Sequence, residues 1–562
     1  MKISRKFKSF NLTNCSTSIQ RAVKTLFNNP YDLSIQDYGH LLQFSANRRF
    51  LRLGQQIHAR FIVRKFAVDN FIGSKFITFY SRNDRLWNAR KVFDEIPQRN
   101  TWSYNAMLIA YSSHSEEIET LTLFSSFLRD SDVFMKPDNF SLTCVLKALS
   151  SLFFDVDLGK EIHCYGLRNG FDSDLFVVNG LITYYSRCDE LGLARKVFDL
   201  MRKRDIVSWN SMIGGYSHGG CYDECLKLFK LMLELDDGKV RPDGVTIANV
   251  LQSCAQKKDL VRGVEVHQYV MENNIEGDSL VCNSILGLYA KCGKLDYARE
   301  LFEQMIKKDE VTYGCLISGY LAYGHVDNAM NLFREMENPS LSTWNGLISG
   351  IAQNNLHELT FDLIKEMQAS GFRPNSVTIA TLLSSLSNFP DLGGGKQVHA
   401  YAIRNNYDSN IYVTTGLIDV YGKSSFLLGA RLVFDQSRHR SVVIWTAIIA
   451  GYLSHEDPNQ AIKLFEDMLE YGTQPDPVTL TVVLTACAEL GDTRHAQKIL
   501  EKMHDKYGIQ PVTEHYACVV RVLVRDGKFT EAEEFISKLR SETIPNELEN
   551  ENADDGDLEI RI

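Results

Sequence analysis

Twelve cysteines, fourteen histidines and seventy acidic side chains give this 562-residue chain ample material for metal or acid–base chemistry, so their spacing decides what they can do. No two cysteines stand as C-x-x-C, so a zinc site of the usual spacing is missing. Most cysteines fall inside helical patterns and read as small buried hydrophobes, not as a disulfide framework. The one H-x-E is His114-Ser115-Glu116. Such a triplet could supply a ligand and the proton shuttle of a zinc deaminase, but that chemistry also needs P-C-x-x-C downstream, and none follows. No Walker loop or G-x-G-x-x-G is present either. Four histidines recur in similar contexts, His58, His163, His267 and His399, each 104 residues or more from the next. They cannot converge on one ion, and packing between structural units is their expected role. The reading is of a chain that is not an enzyme, with no metal, no cofactor and no small-molecule substrate.

The contexts of those histidines reveal the elements that position them. They are GQQIHAR (54–60), GKEIHCY (159–165), GVEVHQY (263–269) and GKQVHAY (395–401). A second set of stretches lies between them: 74–96, 179–201, 283–305 and 416–437, for example NGLITYYSRCDELGLARKVFDLM. Each has apolar residues at three- and four-residue spacings in two runs, the first ending in Tyr and the second built around Ala and Phe. That is the pattern of a helix–turn–helix hairpin. The histidines are spaced by 105, 104 and 132, and Ala89, Ala194, Ala298 and Ala430 by the same three gaps. Two independent markers in step imply a triplet of hairpins, with one extra hairpin at 310–340. The spacing predicts fourteen units over 35–512: 35–69, 70–100, 101–138, 139–174, 175–205, 206–243, 244–278, 279–309, 310–340, 341–375, 376–410, 411–441, 442–476 and 477–512. A last, incomplete short unit covers 513–546. One hairpin cannot bury its apolar face alone, so the expected fold is all-α: a right-handed superhelical solenoid of stacked helix–turn–helix repeats. No window is long and apolar enough for a membrane helix.

The termini differ from the middle. Residues 1–30 carry six basic residues and no acid, the profile of an organellar transit peptide. Residues 547–562 carry seven acids against Arg561 alone and are expected to be a disordered tail. The two ends cancel, so the middle bears the whole net charge of −9. Binding to nucleic acid by bulk phosphate neutralisation is therefore disfavoured, and a local basic stripe would be needed.

The segments IVSWNSMIGGY (206–216) with VRPD (240–243), and SVVIWTAIIAGY (441–452) with QPD (474–476), together with the two patterns above, resemble the pentatricopeptide-repeat family. The likeness is to its plant subclass of alternating standard, long and short motifs, and it covers roughly 35–540. The Trp, Leu-Gly and Tyr signature of peptide-binding tetratricopeptide repeats is absent.

The resemblance implies that each hairpin faces one base of single-stranded RNA, chiefly through the fifth residue of its first helix and its own last residue. Carried onto this chain, Ser74 with Asn100 resembles an adenine reader. Asn105 with Asp138, Asn179 with Asp205, Asn210 with Asp243, and Asn283 with Asp309 resemble uracil readers. Asn345 with Asn375 resembles a pyrimidine reader, and Thr446 with Asp476 a guanine reader. Thr415 with Ser441 and Gly314 with Ser340 fit poorly. The long motifs, with Gly39, Thr143, Ala248 and Ala380 at the fifth place, are expected to carry little base information. The implied target is A-U-x-U-U-x-U-x-Y-x-x-G. The resemblance further implies a mitochondrial or chloroplast protein, the mitochondrion preferred. Its implied role is marking cytidines for editing to uridine by a deaminase supplied in trans, with no membrane partner. Editing members of the family usually continue into an extension that recruits the deaminase, whereas this chain runs through FISKLRSETIPN (535–546) into its acidic tail. Transcript stability, splicing or translation is the alternative, and a protein-binding helical scaffold a more distant one.

Overall fold

A polar residue whose side chain turns back onto the third backbone N–H, followed by apolar residues at helical spacing, starts a helix. That arrangement recurs along the chain. The computed structural model describes residues 33–543 except 131–134, 153–155, 235–239, 276–278, 390 and 439. The basic stretch 1–30 and the acidic stretch 547–562 lie outside the described residues, so neither expectation about them is addressed by the fold.

The described residues hold thirty helices and no strand. Helices alternate as first and second members of hairpins, as in Ile206–His218 with Tyr222–Glu234 and Leu341–Gln353 with His357–Ala369. In the hairpins that carry the Ala–Phe pattern, the second helix is only ten residues, as in Leu86–Glu95, Leu191–Leu200 and Leu427–Gln436. Those helices end on an extended residue, Ile96, Met201 or Ser437. Longer second helices instead close through a left-handed residue such as Lys65, Asn274 or Asn406. The chain forms two compact units, one ending at Ala298 and the other starting at Arg299. Within each, a first helix packs on its own second helix and on the first helices of adjacent hairpins.

The recurrent Ala and Phe are core: Ala89, Ala194 and Ala430 are fully buried, as are Phe93, Phe198 and Phe434. The reading of the cysteines as small buried hydrophobes holds in part. Cys144, Cys225, Cys254, Cys487 and Cys518 are buried, but Cys164 and Cys221 are exposed. Helical spacing places a side chain on a face without saying whether a neighbour covers that face.

The repeated G-x-x-[IV]-H pattern has two structural jobs. Its glycine lies where the helices touch: a Cβ at Gly54, Gly159, Gly263 or Gly395 would stand 2.0, 1.9, 2.5 or 2.8 Å from Phe79, Tyr184, Leu288 or Val420. Each contact falls 25 residues on, in the first helix of the next hairpin. Its histidine shares a hydrogen bond with the tyrosine 22 residues on: His58 with Tyr80 at 2.7 Å, His163 with Tyr185 at 3.1 Å, His267 with Tyr289 at 3.0 Å and His399 with Tyr421 at 2.9 Å. Each pair joins two consecutive hairpins. Burial pushes the pKa of His58, His163 and His399 down. The unfolded chain then takes up protons that the folded chain refuses, so stability is complete above the unfolded histidine value and is lost as pH falls below about 6.5. Denaturant midpoints at pH 7 and 5.5 are expected to reflect this loss. His163→Gln, which cannot protonate but can still bond Tyr185, is expected to make the drop smaller.

Candidate nucleic-acid interface

The last residue of one hairpin is the N-cap of the next. Asn100, Asp205, Asp243, Asp309, Asn375 and Asp476 all accept from the third backbone N–H of the helix they precede. Asp138 does the same for Ser141, at 3.0 Å. Capping alone is reason enough for Asp or Asn here. What capping does not require is a partner one hairpin back.

That partner is the fifth residue. Asn105 Nδ2 donates to both Asp138 oxygens at 2.9 and 2.8 Å, while the Ser141 hydroxyl donates to Asn105 Oδ1 at 2.5 Å. Asn210 Nδ2 donates to both oxygens of Asp243 at 3.0 and 3.1 Å, and Thr246 Oγ1 donates to Asn210 Oδ1 at 2.6 Å. Asn345 repeats the arrangement with Asn375 at 3.3 Å and Thr378 at 2.6 Å. Asn179 Nδ2 reaches Asp205 Oδ1 at 3.2 Å, and its own buried Oδ1 has no partner. A carboxylate only accepts, so the Asn amide orientation is fixed, and one N–H and one lone pair remain free. Burial acts to raise the carboxyls of Asp205 and Asp243, but hydrogen bonds from Ser208 and Asn179, and from Thr246 and Asn210, outweigh it and hold both below the ordinary carboxylate value.

The remaining pairs differ. Thr446 meets Asp476 only through Thr479, whose hydroxyl lies 2.7 Å from each of them. Ser74 Oγ donates to Asn70 O, and it is Asn70 Oδ1 that accepts from the Asn100 backbone at 3.1 Å. Asn283 is buried in the first unit, and Asp309 caps Glu310–Ala322 in the second. Among the long motifs, Asp69, Asp174 and Asn410 are caps, whereas Asp278 lies outside the described residues.

Two features on the same helices are not evident from sequence. The second residue of the first helix is a large apolar side chain left in solvent in nearly every hairpin. Trp102 and Tyr412 are 78% and 76% exposed, and Phe71, Phe140, Phe176, Val207, Val245, Leu280, Val311, Val377, Val443 and Val478 follow suit. It lies three residues before the fifth, on the same face. The thirteenth residue lies eleven beyond the second, close to three full turns. It is basic in every Ala–Phe hairpin, as exposed Arg82, Arg187, Lys291 and Lys423, and in the last hairpin as Arg525. The same place holds Asn47, Ser113, Gln353 and Glu489 elsewhere. No cluster of metal-binding side chains occurs among the described residues.

These stacked helix–turn–helix hairpins, most of their junctions capped by a side chain, define a helical repeat protein. Family models described as "PPR repeat family" match residues 339–388 and 440–489, and ones described as "PPR repeat" match 176–206, 207–236, 280–309, 306–337 and 478–507. The pentatricopeptide repeat-containing protein At2g37310 of Arabidopsis thaliana is 50% identical over 550 residues, 96% of this chain and 83% of its own length. The chain belongs to the pentatricopeptide-repeat family. Two further Arabidopsis thaliana members, At1g11290, chloroplastic, and At3g02330, mitochondrial, are 30% and 31% identical over 90% and 89% of this chain. The chain spans 58% and 54% of their lengths.

Proposed function

We propose that this protein binds single-stranded RNA base by base in mitochondria or plastids, as a site-recognition factor for cytidine-to-uridine editing whose deaminase is supplied by another protein. The observation that carries RNA binding is the recurrent amide held between a cap carboxylate and a helix hydroxyl, with one donor and one acceptor left over. That combination complements a pyrimidine edge. The fifth residue varies among Asn, Ser, Thr, Ala and Gly over a nearly constant cap, a variation that capping gives no reason for. The exposed second residues offer shelves for bases, since stacking tolerates any base and supplies about 1–3 kcal/mol each. Alternation of hairpins with shorter and longer second helices favours the plant subclass that serves editing, and the names of the two relatives support an organellar location.

The basic thirteenth residues are the phosphate contacts in this scheme, five of them in the whole chain. For a single strand, five contacts give a slope of log K against log salt of about −3.5. Titration at several salt concentrations is expected to return that shallow slope, and Arg187→Ala to lower it by roughly 0.7 with little change in base preference. The editing role is tested by sequencing mitochondrial and plastid transcripts from plants lacking the gene. Loss of editing at one or a few cytidines just 3′ of a match to A-U-x-U-U-x-U-x-Y is the expected result. Unchanged editing with altered abundance or splicing of one transcript would move the role to RNA processing.

A further inference from the structure

The hairpin 310–340 breaks the scheme in a specific way. Its fifth residue is Gly314, and a Cβ built there meets nothing within 4 Å, so the space an asparagine would fill stays open. The hydroxyl of Thr343, the counterpart of Ser141, Thr246 and Thr378, has no amide to reach. It donates instead to Oε1 of Glu310, the first residue of the helix, and so does the Ser340 hydroxyl, whose side chain also caps the next helix. Those two hydrogen bonds hold the Glu310 carboxyl below the ordinary carboxylate value. Glu310 is exposed, and Oε2 takes no part in either bond. A carboxylate, anchored from the following helix, has thus moved one turn toward the N-terminus and taken over the junction.

Given the reading above, in which each hairpin faces one base, we infer that Glu310 reads the base opposite hairpin 310–340 and selects guanine. This is the eighth base of the implied target, left unassigned by the Gly314–Ser340 pair. A carboxylate accepts only. Guanine alone presents two adjacent donors, N1–H and N2–H, on its Watson–Crick edge. Uracil sets one N–H between two carbonyls, and adenine and cytosine set a ring acceptor beside the amino group. Each would bring a lone pair against the carboxylate. The gap at Gly314 also leaves room for the larger purine.

The test uses the full chain and four RNAs of the implied sequence that differ only at base eight, with a second set varied at base five, opposite Asn210. Guanine at base eight is expected to bind about tenfold more tightly than the other three. Glu310→Gln, whose amide oxygen can still accept from Ser340 and Thr343, is expected to keep the thermal midpoint of the parent and to bring the four within about threefold. Gly314→Asn is expected to fill the gap and weaken binding of the guanine RNA. Equal binding of all four at base eight, while base five still discriminates, would overturn this inference and leave the base-by-base reading intact. Loss of discrimination at both places would sink both.

Discussion

Gly159→Val is expected to lower the stability of the first unit by about 3 kcal/mol, the upper range for forcing extra atoms into a packed interior. A Cβ at 159 would stand 1.9 Å from the ring of Tyr184, and that ring is completely buried. It has no open space to swing into, and the equally buried ring of Tyr185 lies beside it, centroids 5.8 Å apart. The helices themselves must separate, and a solenoid passes such a displacement to the next junction only. Loss is therefore expected as an early unfolding step confined to neighbouring hairpins, read by urea titration with hydrogen exchange. Gly192→Ala is the control. Nothing lies within 4 Å of its Cβ, and alanine is the better helix former, so a small gain is expected. Similar midpoints for Gly159→Val and the parent protein would contradict the close-approach account.

The second large effect separates two roles held by one side chain. Asp243→Ala removes the cap on Thr246 N and the partner of Asn210 together. A stability loss of about 1–2 kcal/mol is expected from the cap. A loss of discrimination at one base, worth about 1–3 kcal/mol, is expected from the freed amide. Asp69→Ala dissects these: Asp69 caps its helix through Ile72 N at 2.9 Å, but the fifth residue of its hairpin is Gly39, with no amide to hold. It is expected to match Asp243→Ala in stability and leave base preference alone. Equal losses of preference in both variants would assign the aspartates to folding only.

The hairpin repeat was legible because two markers in step, the buried Ala–Phe pattern and the half-buried histidines, recur at fixed places that sequence spacing records directly. The reason for the histidine pattern was not legible. Gly159 against Tyr184 and His163 against Tyr185 are pairings between hairpins, and only the stacked helices bring them together. The last-position acids can be read from sequence either as caps or as readers; the fold makes Asp243 a cap and ties it to Asn210. Trp102 and Tyr412 went unnoticed because an apolar residue at helical spacing looks the same whether its face is covered or bare. Arg187 and Lys423 were hidden among other basic residues until the first helices fixed them at the thirteenth place. Glu310 was not legible for a different reason: elsewhere the partner of the junction hydroxyl stands at the fifth residue, and here it stands at the first.

The most direct test of the account is the base preference of Asn210→Thr, with Asp243 left in place as cap. Binding is measured for RNAs that differ only at the base opposite that hairpin. The parent protein is expected to prefer uracil and the variant guanine, the preference assigned to Thr446 with Asp476, at unchanged thermal stability. A uniform loss of affinity for all four RNAs, with no change in their order, would contradict the assignment of one base to each hairpin.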